Sequence, residues 1–249
     1  MLQQTPVARV LPVWHQWMER WPTPKDLAAE PSGEAVRHWG RLGYPRRALR
    51  LHACATAITE EHGGEVPCDH ATLLSLPGIG EYTAAAVASF AFGGRHAVLD
   101  TNVRRVFARA IRGEEYPPAA TSAVERRLAE SLLPEVGAAR WGVAVMELGA
   151  LVCTARAPRC ADCPITDRCA WRLAGKPPGT PRKGQAYDGT DRQCRGRLLA
   201  VLRAAHGPVP KAALDAVWDD AVQRERALDG LVADGLAEVL DDGTYRLPG

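Results

Sequence analysis

Cys153, Cys160, Cys163 and Cys169 are separated by six, two and five residues, and thiols this close together suit metal ligation or oxidation to disulfides. Structural zinc favours two tight pairs, and here only Cys160 and Cys163 form one. Iron–sulfur clusters accept uneven runs in which each thiolate ligates one iron corner. The run therefore reads as a cluster site, with a zinc knuckle or a disulfide staple as the alternatives. Disulfides fit less well, because seven cysteines is an odd number and the stretch MLQQTPVARVLPVW lacks the basic and apolar regions of a secretory signal. The expected compartment is the reducing cytoplasm. Cys54 lies on an apolar helix face and reads as core, whereas Cys68 and Cys194 fall in polar, turn-like surroundings and receive no role.

Two further segments carry chemistry. Leu76-Pro77-Gly78-Ile79-Gly80 lies between the helical stretch DHATLLSL and a helix opening at Glu81, which reads as a helix-hairpin-helix. Glycines at Gly78 and Gly80 let backbone N–H groups approach a phosphate, a contact that positions a duplex without reading its sequence. A tight helix–helix turn with no ligand explains the same glycines. One helix further on, Asp100 and Asn102 begin another helix within LDTNV. Asp100 is either an N-cap or, opposite a nucleotide drawn out of the base stack, a carboxylate that stabilises a cationic sugar as its base departs.

These residues need elements to hold them. Apolar residues recur at helical spacing over 11–18, 32–38, 46–61, 68–76, 81–92, 100–111, 120–132 and 140–152, with prolines and glycines between them and almost no strand signal. The body to about Trp171 is expected to be all-α. A Pro- and Gly-rich stretch, 172–194 in all, reads as a linker, and 195–249 as three helices and a hairpin, a small winged-helix-like unit. Acidic side chains slightly outnumber basic ones from Asp191 onward, so DNA, a protein partner or a purely structural role all suit that unit. With 46% hydrophobic residues, 24% charge and a net charge of +2, the 249-residue chain is an ordinary globular protein that permits a polyanionic partner without requiring one. Arginines cluster at Arg46, Arg47 and Arg50 and at Arg104, Arg105 and Arg109, and Lys176, Arg182 and Lys183 follow the cysteines; each group suits a polyanion or a solvated face. The longest apolar stretch, 82–92, is too short to span a bilayer, and no membrane partner is expected.

Together LPGIGEYTAAAV, VLDTNVRRV and MELGALVCTARAPRCADCPITDRC resemble the endonuclease III superfamily of helix-hairpin-helix DNA glycosylases, and within it the adenine glycosylases of the MutY type. The resemblance covers Met1 to about Trp171. It implies an all-α fold with one 4Fe–4S cluster on the four cysteines, acting as a monomer on mismatched double-stranded DNA to hydrolyse adenine from pairs with 8-oxoguanine or guanine. MLQQTPVARVLP is similar to the family's strand-insertion segment, with Leu2 at the substrate and Gln3, Gln4 and Thr5 on DNA. LGYPRRALRLH is similar to its wedge, with Tyr44 intercalating and Pro45 replacing a second tyrosine. Gly78, Ile79 and Gly80 would meet a phosphate. Asp100 would stabilise the oxocarbenium ion or form a transient ester, Asn102 and Tyr82 would support the sugar, and Glu147 would line the adenine pocket. Lyase-competent relatives carry lysine where this chain has Tyr82, which implies a monofunctional glycosylase.

Two departures accompany the resemblance. The family's general acid, a glutamate, lies two residues before the position of Met1, so a reading frame that starts further upstream is expected. The tail is too short and too helical for the β-rich 8-oxoguanine-recognition domain of many relatives. A mismatch thymine glycosylase and a catalytically silent lesion-binding protein are the alternatives. A nucleoid-associated cytoplasmic location follows from the same reading.

Overall fold

The computed structural model describes residues 1–3, 5–180 and 187–249; Gln4, Arg182 and Lys183 lie outside them, as does the linker portion 181–186. The chain forms two compact units, one of Met1–Pro67, Leu76–Gly78 and Gly184–Gly249, the other of Cys68–Ser75 and Ile79–Lys183.

The first unit begins with α1 (Val7–Arg20), α2 (Pro24–Ala28), α3 (Ser32–Trp39) and α4 (Arg46–Glu61). The spacing of Val10 and Trp17 puts both on one buried face of α1, and Trp21, just past its end, is buried beside them. There Trp17 meets Trp21 and Trp39 edge to face, with ring centroids 4.8 and 5.7 Å away. Periodicity did not foreshadow α2, since Pro22 and Pro24 read as breakers. In fact Pro24 opens the helix, where a missing N–H costs nothing, and Thr23 and Asp26 close a reciprocal capping box.

The second unit holds α5 (His70–Ser75), α6 (Glu81–Phe90), α7 (Thr101–Phe107), α8 (Ala123–Leu132), α9 (Ala138–Glu147) and α10 (Ala170–Leu173). Single π-helical turns, Ala108–Arg112 and Leu148–Val152, extend α7 and α9. Val103, Val106, Phe107 and Ala129 form one cluster of its core, with Trp141 tilted 6.0 Å from Phe107.

The tail supplies α11 (Asp191–Ala204), α12 (Lys211–Asp215), α13 (Ala221–Ala233) and an antiparallel pair, β1 (Glu238–Val239) with β2 (Tyr245–Arg246). Its leucines Leu198, Leu199, Leu202, Leu214, Leu228 and Leu231 join the tryptophan core of α1 and α3 in one continuous cluster. Polar ties follow the same path: Arg37 donates to the Arg203 and Ala205 carbonyls, Arg203 to the Val36 carbonyl at 2.9 Å, and the Gly33 N–H to the Pro248 carbonyl at 2.9 Å. Cys194, expected in a turn, is fully buried within α11. No helix among the described residues is long and apolar enough to cross a membrane.

The arginine group of α7 corrects the expectation of a solvated or polyanion-facing surface. Arg104, Arg105 and Arg109 are 8%, 8% and 1% exposed. Arg104 grips both oxygens of Glu125 at 3.0 and 2.9 Å and donates to the carbonyls of Pro118 and Ala120. Burial pushes the Glu125 carboxyl up, but the bonds from Arg104 and from the Ser122 N–H outweigh it and hold the group below its usual range. The stabilisation from Glu125 is therefore present above its unfolded-state value and is lost as pH falls through the depressed native one. Arg104→Met should cost about 3–5 kcal/mol by stranding a buried carboxylate. Urea unfolding at neutral pH would show the loss, and it should shrink in acid, where Glu125 protonates.

Candidate active site and cluster loop

Asp100 caps α7. Its Oδ1 accepts the Val103 N–H at 2.6 Å and its Oδ2 accepts Asn102 Nδ2 at 2.7 Å, so the N-cap reading is realised in the structure. Capping fixes the carboxylate without exhausting it, because each oxygen retains acceptor capacity. Asn102 is itself held: its Oδ1 accepts Arg105 Nη2 at 2.8 Å, which also donates to the Gly149 carbonyl, while Arg105 Nε donates to the Cys153 carbonyl at 2.7 Å. Burial, then the Asp100 charge, push the Tyr82 phenol above its ordinary value, so the hydroxyl stays protonated. Gly149 lets the turn after α9 come close, since a Cβ there would lie 2.7 Å from the Asn102 carbonyl oxygen. Glu147 ends α9 with its side chain exposed.

The cluster loop starts where the second π-helical turn stops. Cys153 follows Leu148–Val152, Cys160 opens one 3-10 turn, and Cys169 follows a second, Thr166–Arg168, and precedes α10. All four cysteines line one recess with Arg109, Trp171 and Arg172. Burial, then proximity to the other three thiols, push the Cys163 thiol up, although the Ile165 N–H opposes the shift. A metal relieves that repulsion by binding thiolates directly. Arg109 Nη1 lies 3.4 Å from Cys153 Sγ and 2.8 Å from the Thr154 carbonyl, and its guanidinium stacks 4.8 Å from the Trp171 ring. Four convergent thiols beside a buried cation fit an anionic 4Fe–4S cluster better than a zinc ion, which prefers paired ligands.

At the hairpin the two glycines have different reasons. Gly78 is left-handed at φ +74°, and a Cβ would press within 2.6 Å of Arg50 Cβ, so packing alone requires it. Gly80 has an ordinary backbone and open space around it, at the N-terminus of α6, where no side chain caps the N–H groups. Ile79 between them is half-buried. In the first unit Thr5 is buried, Leu2 is exposed and Tyr44 presents its ring to solvent from a loop tip.

The structure thus brings Asp100, Asn102 and Tyr82 together, brings the four cysteines together, and leaves Glu147 on an exposed helix end. Sequence reasoning did not single out Arg105, Arg109 or Gly149. The arginines stood in view as a cluster, but nothing local distinguishes a buried guanidinium from a solvated one. Gly149 could have been flagged as a glycine inside an apolar helical pattern.

An all-α fold with a glycine hairpin, a capping aspartate and a four-cysteine loop defines the helix-hairpin-helix, iron–sulfur class of DNA glycosylases. Residues 1–134 match the HhH-GPD superfamily of base excision DNA repair proteins, and residues 153–169 match the iron–sulfur binding domain of endonuclease III. The chain belongs to that superfamily. It is 56% identical over 255 residues to the adenine DNA glycosylase of Mycobacterium tuberculosis H37Rv, covering all of this chain and 83% of that one. It is 42% identical to the human adenine DNA glycosylase, over 69% of this chain and 32% of that one. Among solved structures, a thermostable thymine-DNA glycosylase superposes with a TM-score of 0.63 at 28% identity, over 70% of this chain and 80% of that one. A trapped endonuclease III–DNA covalent intermediate gives 0.61 at 27%, over 69% and 80%.

Anaerobically purified protein should be brown and contain about four iron atoms per chain. Cys163→Ser should lose most of that iron and its visible absorbance, whereas stoichiometric zinc in the parent protein would point to the other metal. Gly149→Ala tests the close approach at Asn102. A displacement of about 1 Å at a reacting group typically costs about 10²-fold, so this variant should slow base release by about that factor while retaining its cluster absorbance.

Proposed function

We infer that the protein is an adenine DNA glycosylase that hydrolyses the N-glycosidic bond of adenine mispaired with 8-oxoguanine or guanine in duplex DNA. One observation carries the reading: the Asp100 carboxylate is fixed by Val103 and Asn102 at the start of α7, in a chain 56% identical along its length to proteins of that name.

In the reaction the bond from C1′ to the adenine nitrogen breaks, water oxygen bonds to C1′, and adenine leaves with a proton. Asp100 stabilises the positive charge that spreads over the sugar in between, and because its donors are already in place it needs no reorganisation. Asn102 holds the second carboxylate oxygen, and Tyr82 contributes a neutral hydroxyl beside it. With no amine at Tyr82, no imine forms and the backbone stays intact, which makes the enzyme monofunctional. Adenine is a poor leaving group until it is protonated, so departure of the base also calls on a general acid.

Leu2 and Glu147 would meet the adenine, Gln3, Gln4 and Tyr44 the opposing base, Thr5 the DNA beside them, and Gly78, Ile79 and Gly80 a backbone phosphate. Cys153, Cys160, Cys163 and Cys169 would hold the cluster, which supplies a rigid cross-link of the loop on which Arg105 and Arg109 close. Residues 1–171 carry the chemistry, and the winged-helix-like tail that begins with α11 packs on the first helices rather than standing apart, in a monomer acting at the cytoplasmic nucleoid. The likeness to a thymine-DNA glycosylase makes a T:G duplex the competing substrate.

Base release under single-turnover conditions tests the reading. Adenine should leave duplexes containing A:8-oxoguanine and A:G, and thymine should not leave T:G. Strands should break only after alkali, and borohydride should trap no covalent adduct. Asp100→Asn should slow release by about 10²–10³-fold or more with mismatch binding retained. Preferential thymine release, or full activity in Asp100→Asn, would overturn the assignment.

A further inference from the structure

Tyr44 is held in a costly backbone state without burial of its ring. Its backbone is left-handed at φ +48°, a region that bulky residues avoid, yet the residue is 59% exposed. Burial of the ring therefore cannot offset the strain. The neighbours that hold it converge on one guanidinium. Arg47 Nη2 donates to the Gly43 carbonyl at 3.3 Å, the oxygen that Trp39 Nε1 also reaches at 2.9 Å. The Arg47 guanidinium carbon sits 5.5 Å from the Tyr44 ring centroid and 5.2 Å from that of Trp39.

The same fork reaches the amino-terminal segment. Arg47 Nη1 donates to the carbonyls of Met1, at 3.3 Å, and Gln3, and Nη2 donates to Thr5 Oγ1 at 3.0 Å. The flanking arginines are engaged elsewhere, Arg46 with Asp234 at 3.2 Å and Arg50 against Gly78. One planar cation thus joins two segments forty residues apart in sequence, and a lysine ammonium cannot span the same acceptors.

We propose that Arg47 is a positioning residue that locks the Tyr44 ring, Gln3 and Thr5 into one preformed wedge for the base opposite the excised adenine. An exposed aromatic ring at a strained tip suits insertion beside an unstacked base, and a locked ring loses less freedom on inserting. This inference rests on the glycosylase reading and goes beyond it by giving the wedge a holder.

The test is binding, with 2-aminopurine flanking 8-oxoguanine in an adenine mispair, compared with a matched A:T duplex. Arg47→Lys should keep the thermal melt and the matched-duplex affinity, lose about tenfold of the mismatch-over-matched preference, and blunt the 2-aminopurine rise that reports unstacking. Tyr44→Ala should lose at least as much of that preference and of the emission rise, and the double variant should be no worse than Tyr44→Ala alone. Should Arg47→Lys melt early, Thr5→Val removes one acceptor of the fork while leaving Arg47, and a several-fold loss of preference is then expected. A preference and an emission rise equal to the parent's in Arg47→Lys, or in Thr5→Val where that variant is used, would overturn the inference, as would additive losses in the double variant. A parent protein without any mismatch preference would instead overturn the glycosylase reading, and this inference with it.

Discussion

A guanidinium does not shed its charge, so burying three of them along α7 forces the surrounding loops to turn their carbonyls inward. Arg104 takes those of Pro118 and Ala120 with Glu125, Arg105 takes those of Gly149 and Cys153, and Arg109 takes those of Glu115, Thr154 and Ala155. The geometry of the second unit depends on these bonds. The paths of 113–122, of the turn after α9 and of the cluster loop are each set by a side chain of one helix. The capping aspartate begins that same helix. The frame that presents the cysteines therefore also fixes the carboxylate.

The sequence was legible wherever the information is local. Periodicity located α3, α4, α6 and α8 to within a few residues; N-cap chemistry located the start of α7, and cysteine spacing located the cluster loop. It was illegible where a residue's meaning depends on what the chain brings near it. A run such as VRRVFAR has the same text whether its arginines face water or carbonyls, and here burial decided for carbonyls. Cys194 looked polar because Asp191, Arg192 and Gln193 precede it, but the helix they start turns the thiol inward. Tyr44 stands out by its motif, whereas its left-handed backbone and the approach of Arg47 arise only from contacts that the fold makes.

The tail shows the same limit in its electrostatics. Three helices and a hairpin allow a DNA-reading unit, and α13 carries Arg224 and Arg226. In the fold Arg224 pairs with Asp215 at 2.9 Å, Arg226 with Asp191 at 2.7 Å, and Lys211 with Glu225. Cations already neutralised by fixed carboxylates release fewer counterions from DNA and gain less from a phosphate. The leucines of α11 and α13 meanwhile share a core with Trp17 and Trp39. Both observations favour a scaffold for the first helices over an independent reading head.

The cap and the proposed catalyst at Asp100 do not compete. A carboxylate at a helix N-terminus is favoured by the dipole and by free N–H groups, so holding it there stabilises the folded state. The same bonds fix its orientation before substrate arrives. Arg105, bonded to Asn102 Oδ1, draws electron density from the amide and strengthens the Nδ2 donor that meets Asp100. Each carboxylate oxygen then has one protein donor and a remaining lone pair, a state that can attract a developing cation without first breaking a bond to water. Stability and chemistry draw on one set of contacts, and that is why residues as ordinary as Asn102 and Gly149 come under strict geometric demand.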